Sequence, residues 1–158
     1  MKTIGVLSDT HLTTPDPDWV RQVTRAFSGV DLVLHAGDLT DLRVLDALSE
    51  FSVLAVSGNM DDHLVIQSLP TKRVIELEGF RIGLIHGWGA PQGIEDRIRN
   101  EFEQVHCIVF GHSHRPTNHV EDGILFFNPG SAGKTWRSSG TVGIITVDKE
   151  ITGRIIEL

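Results

Sequence analysis

The sequence predicts an α/β fold, and two observations carry this prediction. Short apolar runs rich in β-branched residues alternate with segments of helical character, and polar side chains follow several of these runs directly. Apolar runs of this length that end at glycine are typical of buried strands. Strands that alternate with helices favour parallel pairing with right-handed crossovers. Since function in open α/β sheets collects at the carboxyl ends of strands, those ends hold the candidate functional residues.

The first half of the chain contains the alternating segments. We predict strands over 2–7, 30–38 and 51–56, and helices over 19–27 and 42–49. The strand over 30–38 ends at Gly37-Asp38, where the glycine permits a tight turn and the carboxylate reaches the sheet edge. As an alternative, Asp38 could be the N-cap of a helix over 39–48.

The second half has a different character, with hairpins and only one helix. A hairpin turns at Glu78-Gly79, apolar residues at helical spacing predict a helix over 94–102, and a polar stretch over 133–140 predicts a mobile loop. The strands predicted in this half cover 73–77, 81–85, 105–110, 124–127, 142–147 and 151–156. We see no repeat, linker or low-complexity segment, so the 158 residues predict a single domain, 1–158.

Cysteine usage and hydropathy indicate the compartment. The single cysteine, Cys107, lies inside an apolar run and is predicted to be a buried small hydrophobe, which fits a reducing compartment. The chain opens without a secretory signal, and no apolar stretch reaches the ~20 residues that span a bilayer. We therefore expect a cytoplasmic protein without a membrane partner.

The charge balance limits the partners. The formal net charge is −7, which argues against stable nucleic-acid binding because that needs a basic face. A small phosphorylated substrate remains compatible, since bound cations can dominate the local field. A homo-oligomer remains open.

Seven side chains able to bind a metal follow five of the predicted strands. They are Asp9, His11, Asp38, Asn59, His86, His112 and His114. Each has an ordinary alternative taken alone: a helix cap for an aspartate, a turn for the asparagine, a structural or solvated histidine. Their shared position after apolar runs favours one common site. Side chains two apart on an extended segment share a face, so each Asp-x-His or His-x-His pair can converge.

The donor types indicate which metals to expect. Two carboxylates, one amide and four imidazoles suit manganese, iron, cobalt, nickel or zinc better than magnesium or calcium. No cysteine takes part, which disfavours a closed structural zinc site. Seven donors exceed what one ion needs, so we predict two ions that share Asp38. We assign no role to the other histidines, of which only His35 is near enough to act behind the ligands.

The ordered motifs resemble the calcineurin-like metallophosphoesterase superfamily. They are Asp9-x-His11, Gly37-Asp38, Gly58-Asn59-x-Asp61, a glycine-flanked His86 and Gly111-His112-x-His114. The length and the block over 128–131 resemble its small single-domain prokaryotic phosphodiesterase branch. The resemblance implies a four-layer α/β/β/α sandwich of two mixed sheets flanked by helices.

The resemblance also implies the metal assignment and the reaction. One metal is implied on Asp9, His11, Asp38 and His114, and the other on Asp38, Asn59, His86 and His112. The implied pair is two divalent transition metal ions, manganese first. The implied reaction is hydrolysis of a phosphodiester, or of a phosphomonoester, by a metal-bridging hydroxide, with Asp38, Asn59 and His86 as the catalytic residues. We expect Asp61 to orient a ligand histidine and Asn128 to support the site from behind.

Two positions depart from the family pattern. Met60 stands where many members have a histidine that protonates the leaving group or steadies the phosphate, and Trp88 stands where many small members have the second histidine of His-Gly-His. Substrates with good leaving groups should therefore be cleaved best. Trp88 either forms an apolar wall for the substrate or is a surface or oligomer-contact aromatic. Three cations near the later motifs could contact the phosphate or be solvated surface charges: Arg115, Lys134 and Arg137.

Two other function classes compete with this hypothesis. A retromer subunit has the same fold with an eroded site and works as a scaffold, whereas the donor set here is complete. A metallo-β-lactamase-like hydrolase needs a compact His-x-His-x-Asp-His cluster, which this sequence lacks. The sequence therefore favours a metal-dependent phosphodiesterase.

Overall fold

The computed structural model describes residues 1–136 and 138–158, and within them the chain forms ten strands and four helices. The strands are β1 (Lys2–Leu7), β2 (Leu32–His35), β3 (Val53–Ala55), β4 (Lys72–Leu77), β5 (Phe80–Ile85), β6 (Cys107–Val109), β7 (Thr117–Glu121), β8 (Ile124–Asn128), β9 (Thr141–Val147) and β10 (Ile151–Glu157). The helices are α1 (Pro17–Ala26), α2 (Arg43–Ala47), α3 (His63–Ser68) and α4 (Ile94–Arg99).

The strands form two mixed five-stranded sheets. The first has the order β10-β9-β1-β2-β3, with β1, β2 and β3 parallel and β9 antiparallel to β1. The second has the order β4-β5-β6-β8-β7, with β5, β6 and β8 parallel. Parallel strands end at the same sheet edge, so the segments after β1, β2 and β3 emerge together, and so do those after β5 and β6.

Three groups of buried side chains hold the layers together. Ile4, Leu34 and Val109 belong to a group between the two sheets, because it draws members from both. A second group, with Trp19, packs the first sheet against α1, α2 and α3, and a third, with Ile98, packs the second sheet against α4. The predicted four-layer α/β/β/α sandwich of two mixed sheets is confirmed.

The structure corrects two predictions about local structure. The helix over 39–48 with Asp38 as its N-cap is wrong, since α2 begins at Arg43 after Leu42. No helix was predicted after the third strand, whereas α3 begins there. The Asp62 side chain caps α3, because it accepts from the Val65 N–H at 2.9 Å. α3 carries Ile66, which lines a cavity beside Asn59 and His86.

Arg137, which was predicted as a possible phosphate contact, lies outside the described residues. The mobility of residues 133–140 stays a prediction. Within the described part of the chain, no helix combines the length and the apolar character that crossing a membrane requires.

Candidate metal centre

The loops that follow the parallel strands stay paired beyond the strand ends. The Asp9 N–H donates to the Gly37 carbonyl at 3.0 Å, and the His11 N–H donates to the Asp38 carbonyl at 3.1 Å. In the second sheet, the Gly111 N–H donates to the His86 carbonyl at 3.0 Å. These hydrogen bonds hold the loops of each sheet side by side at one edge of the sandwich.

Five of the seven candidate residues have a left-handed backbone. Their φ angles are 53° at Asp9, 49° at His11, 54° at Asp38, 67° at His112 and 57° at His114. The prediction that these residues lie on extended segments is therefore wrong. Their side chains meet through left-handed loop conformations instead. Such a conformation costs about 1–3 kcal/mol at a non-glycine residue and persists only where the surroundings enforce it.

Each of the two buried carboxylates has one occupied oxygen and one oxygen that faces the site. Asp9 Oδ2 accepts from the Ser8 hydroxyl at 2.7 Å and from the His112 N–H at 3.1 Å. Asp38 Oδ1 accepts from the Met60 N–H at 2.8 Å. Asp9 Oδ1 is buried and accepts no hydrogen bond. A fixed, desolvated carboxylate with an unused oxygen is what a metal ligand requires.

In residues 1–136 and 138–158, the two aspartates have no lysine or arginine partner. Within the described residues, the ion-pair partners of Asp9 and Asp38 are all histidines. Burial acts to raise the pKa of Asp9, but the imidazoles of His11 and His114 outweigh it and hold that pKa below its usual range. Burial likewise opposes ionisation of Asp38, and His86 reverses it, so its pKa is also lowered. Both groups are ionised at neutral pH, and the site therefore favours cations.

Two histidines are oriented by backbone carbonyls. His86 Nδ1 lies 2.7 Å from the Ala36 carbonyl, and His112 Nε2 lies 2.9 Å from the Gly89 carbonyl. A carbonyl only accepts, so each of these ring nitrogens carries the proton. When the ring is neutral, the other nitrogen, Nε2 of His86 and Nδ1 of His112, is the one whose lone pair is available to a metal in the site.

The free donor atoms form two adjoining sets. In the first, His114 Nε2 lies 3.1 Å from Asp9 Oδ1 and 3.3 Å from His11 Nε2. In the second, Asn59 Oδ1 lies 3.1 Å from both His86 Nε2 and His112 Nδ1. Two donors on one ion at about 2.1 Å are separated by about 3.0–3.4 Å, which matches these spacings. Both sets therefore fit a divalent transition metal.

The two aspartates lie where the donor sets meet. Asp38 Oδ2 is 3.2 Å from His86 Nε2 and 3.8 Å from His11 Nε2. Asp9 Oδ1 is 3.9 Å from His86 Nε2 and also belongs to the group with His11 and His114. The structure thus brings all seven predicted residues together, with Asp38 at the junction.

Comparison with known proteins identifies the family. A family model described as the calcineurin-like phosphoesterase superfamily domain matches residues 1–150. The chain belongs to this superfamily. The family recognised from the sequence motifs is therefore confirmed, and it is a family that uses divalent metal ions.

One relative and two solved structures illustrate what this chain is similar to. A probable metallophosphoesterase of Methanothermobacter thermautotrophicus is 36% identical over 150 residues, which cover 93% of this chain and 87% of the relative. The structure of an archaeal phosphodiesterase shares the fold, with a TM-score of 0.79, 23% identity and 99% of each chain covered. The structure of Vps29 from Entamoeba histolytica complexed with Zn²⁺ shares it too, with a TM-score of 0.72, 22% identity and 98% of each chain covered.

Asp61 supports the candidate metal centre in a way the sequence did not indicate. Its carboxylate accepts from the backbone N–H groups of Gly58 at 2.6 Å, Thr40 at 2.7 Å and Asp38 at 3.1 Å. Burial raises the pKa of Asp61 despite these hydrogen bonds. The expected contact with a histidine is therefore replaced by contacts with the two loops that carry Asp38 and Asn59.

Asn128 lies behind the loop that carries His112 and His114. Its amide nitrogen donates to the Gly111 carbonyl and to Ser113 Oγ, both at 3.0 Å, and its Oδ1 accepts from the Gly130 N–H at 2.9 Å. This position agrees with the supporting role that the sequence argument expected.

Sequence reasoning missed the backbone carbonyls and the side chains that fix the loops from behind. Ser8 holds Asp9, and the Ser131 hydroxyl donates to the Asp9 carbonyl at 2.8 Å. No spacing in the sequence points to the Ala36 and Gly89 carbonyls, because every residue carries the same acceptor.

The remaining residues that were predicted to contact the substrate lie outside the two donor sets. Met60 and Trp88 are exposed beside the site, with 62% and 43% of their surface accessible. Arg115 is exposed. Lys134 lines a separate groove next to α1, together with Asp18 and Glu50.

The glycine before His112 lets two loops approach closely. A Cβ atom at Gly111 would lie 2.0 Å from Ser8 Oγ and 2.6 Å from Asp9 Oδ2. We expect Gly111→Ala to displace the Asp9 carboxylate and to weaken metal binding by about 10–100-fold, the range typical when a ligand loses its support. Calorimetric titration of the stripped protein with manganese measures this loss.

Gly123→Ala is the matched control for this prediction. Gly123 has a positive φ of 77°, and a Cβ there meets nothing within 4 Å. The control should cost some stability through backbone strain but leave manganese affinity unchanged. Equal metal affinity in Gly111→Ala and the wild type would contradict the prediction.

His35 makes the stability of the metal-free protein depend on pH. Burial lowers the pKa of His35 to about 4. Its Nδ1 accepts from the Gly37 N–H at 3.1 Å, and protonation would break that hydrogen bond. The unfolded chain takes up this proton below pH ~6.5 and the folded chain only below pH ~4, so stability falls as pH drops through this window.

The variant His35→Asn keeps an acceptor for Gly37 but cannot titrate. We expect its stability deficit relative to wild type to shrink by about 3 kcal/mol between pH 7 and pH 4. Urea unfolding of both proteins in the presence of chelator measures the difference. A deficit that stays constant over this range would refute the assignment.

Proposed function

We propose that this protein, as a single domain of residues 1–158, is a binuclear metal-dependent phosphodiesterase, with phosphomonoesters as the second substrate class. The observation that carries the proposal is the position of Asp38 Oδ2 between the two donor sets, 3.2 Å from His86 Nε2 and 3.8 Å from His11 Nε2. A carboxylate in this position can serve both sets at once.

In this proposal each donor set holds one divalent ion, manganese first and nickel, iron, cobalt or zinc as alternatives. Asp9, His11, Asp38 and His114 would hold one ion, and Asp38, Asn59, His86 and His112 the other. The bound pair would supply a hydroxide nucleophile at neutral pH and stabilise charge on the phosphoryl oxygens.

Some of the candidate ligands are buried and others are exposed to solvent. Asp9, Asp38 and His86 are buried, whereas His11, His114 and Asn59 reach the surface. A phosphate can therefore approach from solvent on the side where the donors are exposed. Two carboxylates against two divalent ions leave a positive centre in a protein of net charge −7, which directs an anionic substrate to this point.

A small phosphorylated substrate is the proposed partner, and the cytoplasm is the proposed location. The lone cysteine supports the location, because Cys107 is fully buried and burial raises the pKa of its thiol. A buried thiol of this kind is an inert hydrophobe and fits a reducing compartment.

A metal-binding scaffold is the second candidate, and the shared Vps29 fold favours it. One Vps29 of this fold carries Zn²⁺, so metal binding by itself does not separate the two candidates. Turnover separates them.

The test of the proposal is hydrolysis of bis(p-nitrophenyl) phosphate by stripped protein supplied with Mn²⁺, Ni²⁺, Zn²⁺ or Mg²⁺. We expect activity with the transition metals and a loss of at least about 100-fold in Asp38→Asn, because the shared carboxylate loses its charge. Asp46→Asn is the control, since Asp46 is an exposed carboxylate on α2 and should leave the rate unchanged. Metal binding without turnover would support the scaffold.

The leaving group gives a second prediction. Met60 is exposed beside Asp38 and cannot donate a proton, so an aryl diester should be cleaved far faster than a cyclic nucleotide, whose leaving group is an alkoxide. Met60→His should raise the rate on the cyclic nucleotide by about 100-fold or more, the usual contribution of a general acid. Met60→Leu is the control, and we expect it to leave the rate on the cyclic nucleotide unchanged. Equal wild-type rates on both substrates would contradict this account.

A further inference from the structure

A cavity of about 460 Å³ opens next to the metal centre and shares Asn59 and His86 with it. This volume is typical of a small-molecule site. The apolar part of its wall comes from Ile66 on α3, Ile85 at the end of β5, and Trp88. A phosphate bound at the metal that Asn59 and His86 would hold would therefore have one ester group at the mouth of this cavity.

The charges of the cavity wall cancel. Lys72 is the only lysine or arginine among the lining residues, all of which lie in the described part of the chain. Its ammonium group is 3.0 Å from the Glu101 carboxylate and 3.1 Å from the Glu101 carbonyl oxygen. Because this cation is already neutralised, the wall favours an uncharged group over a second phosphate.

Two hydrogen bonds hold the backbone at Trp88 and Gly89. The Arg97 Nε–H donates to the Trp88 carbonyl at 3.0 Å, and the Gly89 carbonyl accepts from His112 Nε2 at 2.9 Å. The indole therefore stands on a loop tied directly to a candidate metal ligand. A loop whose backbone is fixed before the ligand arrives lowers the entropic cost of binding.

We propose that this cavity, between Ile66 and Trp88, receives an uncharged aromatic ester group of the substrate, so that the enzyme prefers aryl phosphoesters. The inference rests on the proposed function and adds the substrate class. The ring would pack against the Trp88 indole and the Ile66 side chain, contacts that favour flat apolar groups. It also accounts for a tryptophan and an isoleucine that remain half exposed in the free protein.

Binding of phenylphosphonate and methylphosphonate to the zinc-loaded protein tests the inference by calorimetry. The two probes share the phosphonate and differ in the group that would enter the cavity. We expect phenylphosphonate to bind about tenfold more tightly, through the apolar surface that the ring buries. Trp88→Ala and Ile66→Ala should each reduce this preference at least about threefold.

Leu64→Ala is the matched control for Ile66→Ala. Both residues are on α3 and similarly exposed, 61% for Leu64 and 51% for Ile66, but only Ile66 lines the cavity. The control should keep the wild-type preference. A loss of preference in Leu64→Ala equal to that in Ile66→Ala would overturn the assignment of the cavity.

The Trp88 indole N–H provides a readout that does not depend on affinity or turnover. We expect phenylphosphonate, and not methylphosphonate, to shift its nitrogen–proton NMR signal, while the signal of the buried Trp19 stays in place. If both probes bind equally and diesters are still hydrolysed, the cavity inference is wrong and the proposed function stands. If neither probe binds and no diester is hydrolysed with any metal, both are wrong.

Discussion

The structure depends on two carboxylates, Asp9 and Asp38, that are buried without a lysine or arginine partner among the described residues. A buried charge of this kind is unfavourable unless cations or hydrogen bonds compensate it. One oxygen of each group is compensated by N–H or O–H donors of neighbouring loops, while the other faces only imidazoles. The loops, the left-handed backbone angles and the close glycine contacts all serve to hold this otherwise unfavourable arrangement.

The site also depends on the contact between the sheets. Asp9 and Asp38 follow strands of the first sheet, whereas His86 and His112 follow strands of the second. Phe127 is fully buried between the sheets, and a Cβ atom at Gly143 would lie 2.4 Å from its ring. The spacing of the donor atoms is therefore set by the packing of the inter-sheet core as much as by the loops.

The sequence was sufficient for nine of the ten described strands and for the seven side chains that meet at one edge, because apolar runs and the polar residues after them are visible in one dimension. It predicted no strand over β7, whose side chains are mostly exposed. It was insufficient for α3, whose six residues have mixed polarity and no clear apolar spacing. It also misjudged Asp61, since an aspartate next to a histidine-rich site suggests an imidazole partner, whereas the structure pairs it with three backbone N–H groups. Backbone partners and left-handed angles depend on how loops meet in space, and residue identity does not reveal them.

The donor set explains metal binding but does not determine what is done with the metal. A Vps29 that carries zinc shares this fold, so the fold alone does not distinguish a scaffold from an enzyme. Here the neighbours are Met60, which cannot transfer a proton, and a cavity with Trp88 on its wall, which shares Asn59 and His86 with the site. In the proposed enzyme, a methionine at position 60 and an apolar cavity beside the metal centre would favour substrates whose aromatic group both fills the cavity and leaves without a proton. The residues around the metal ligands therefore select the chemistry that the ligands make available.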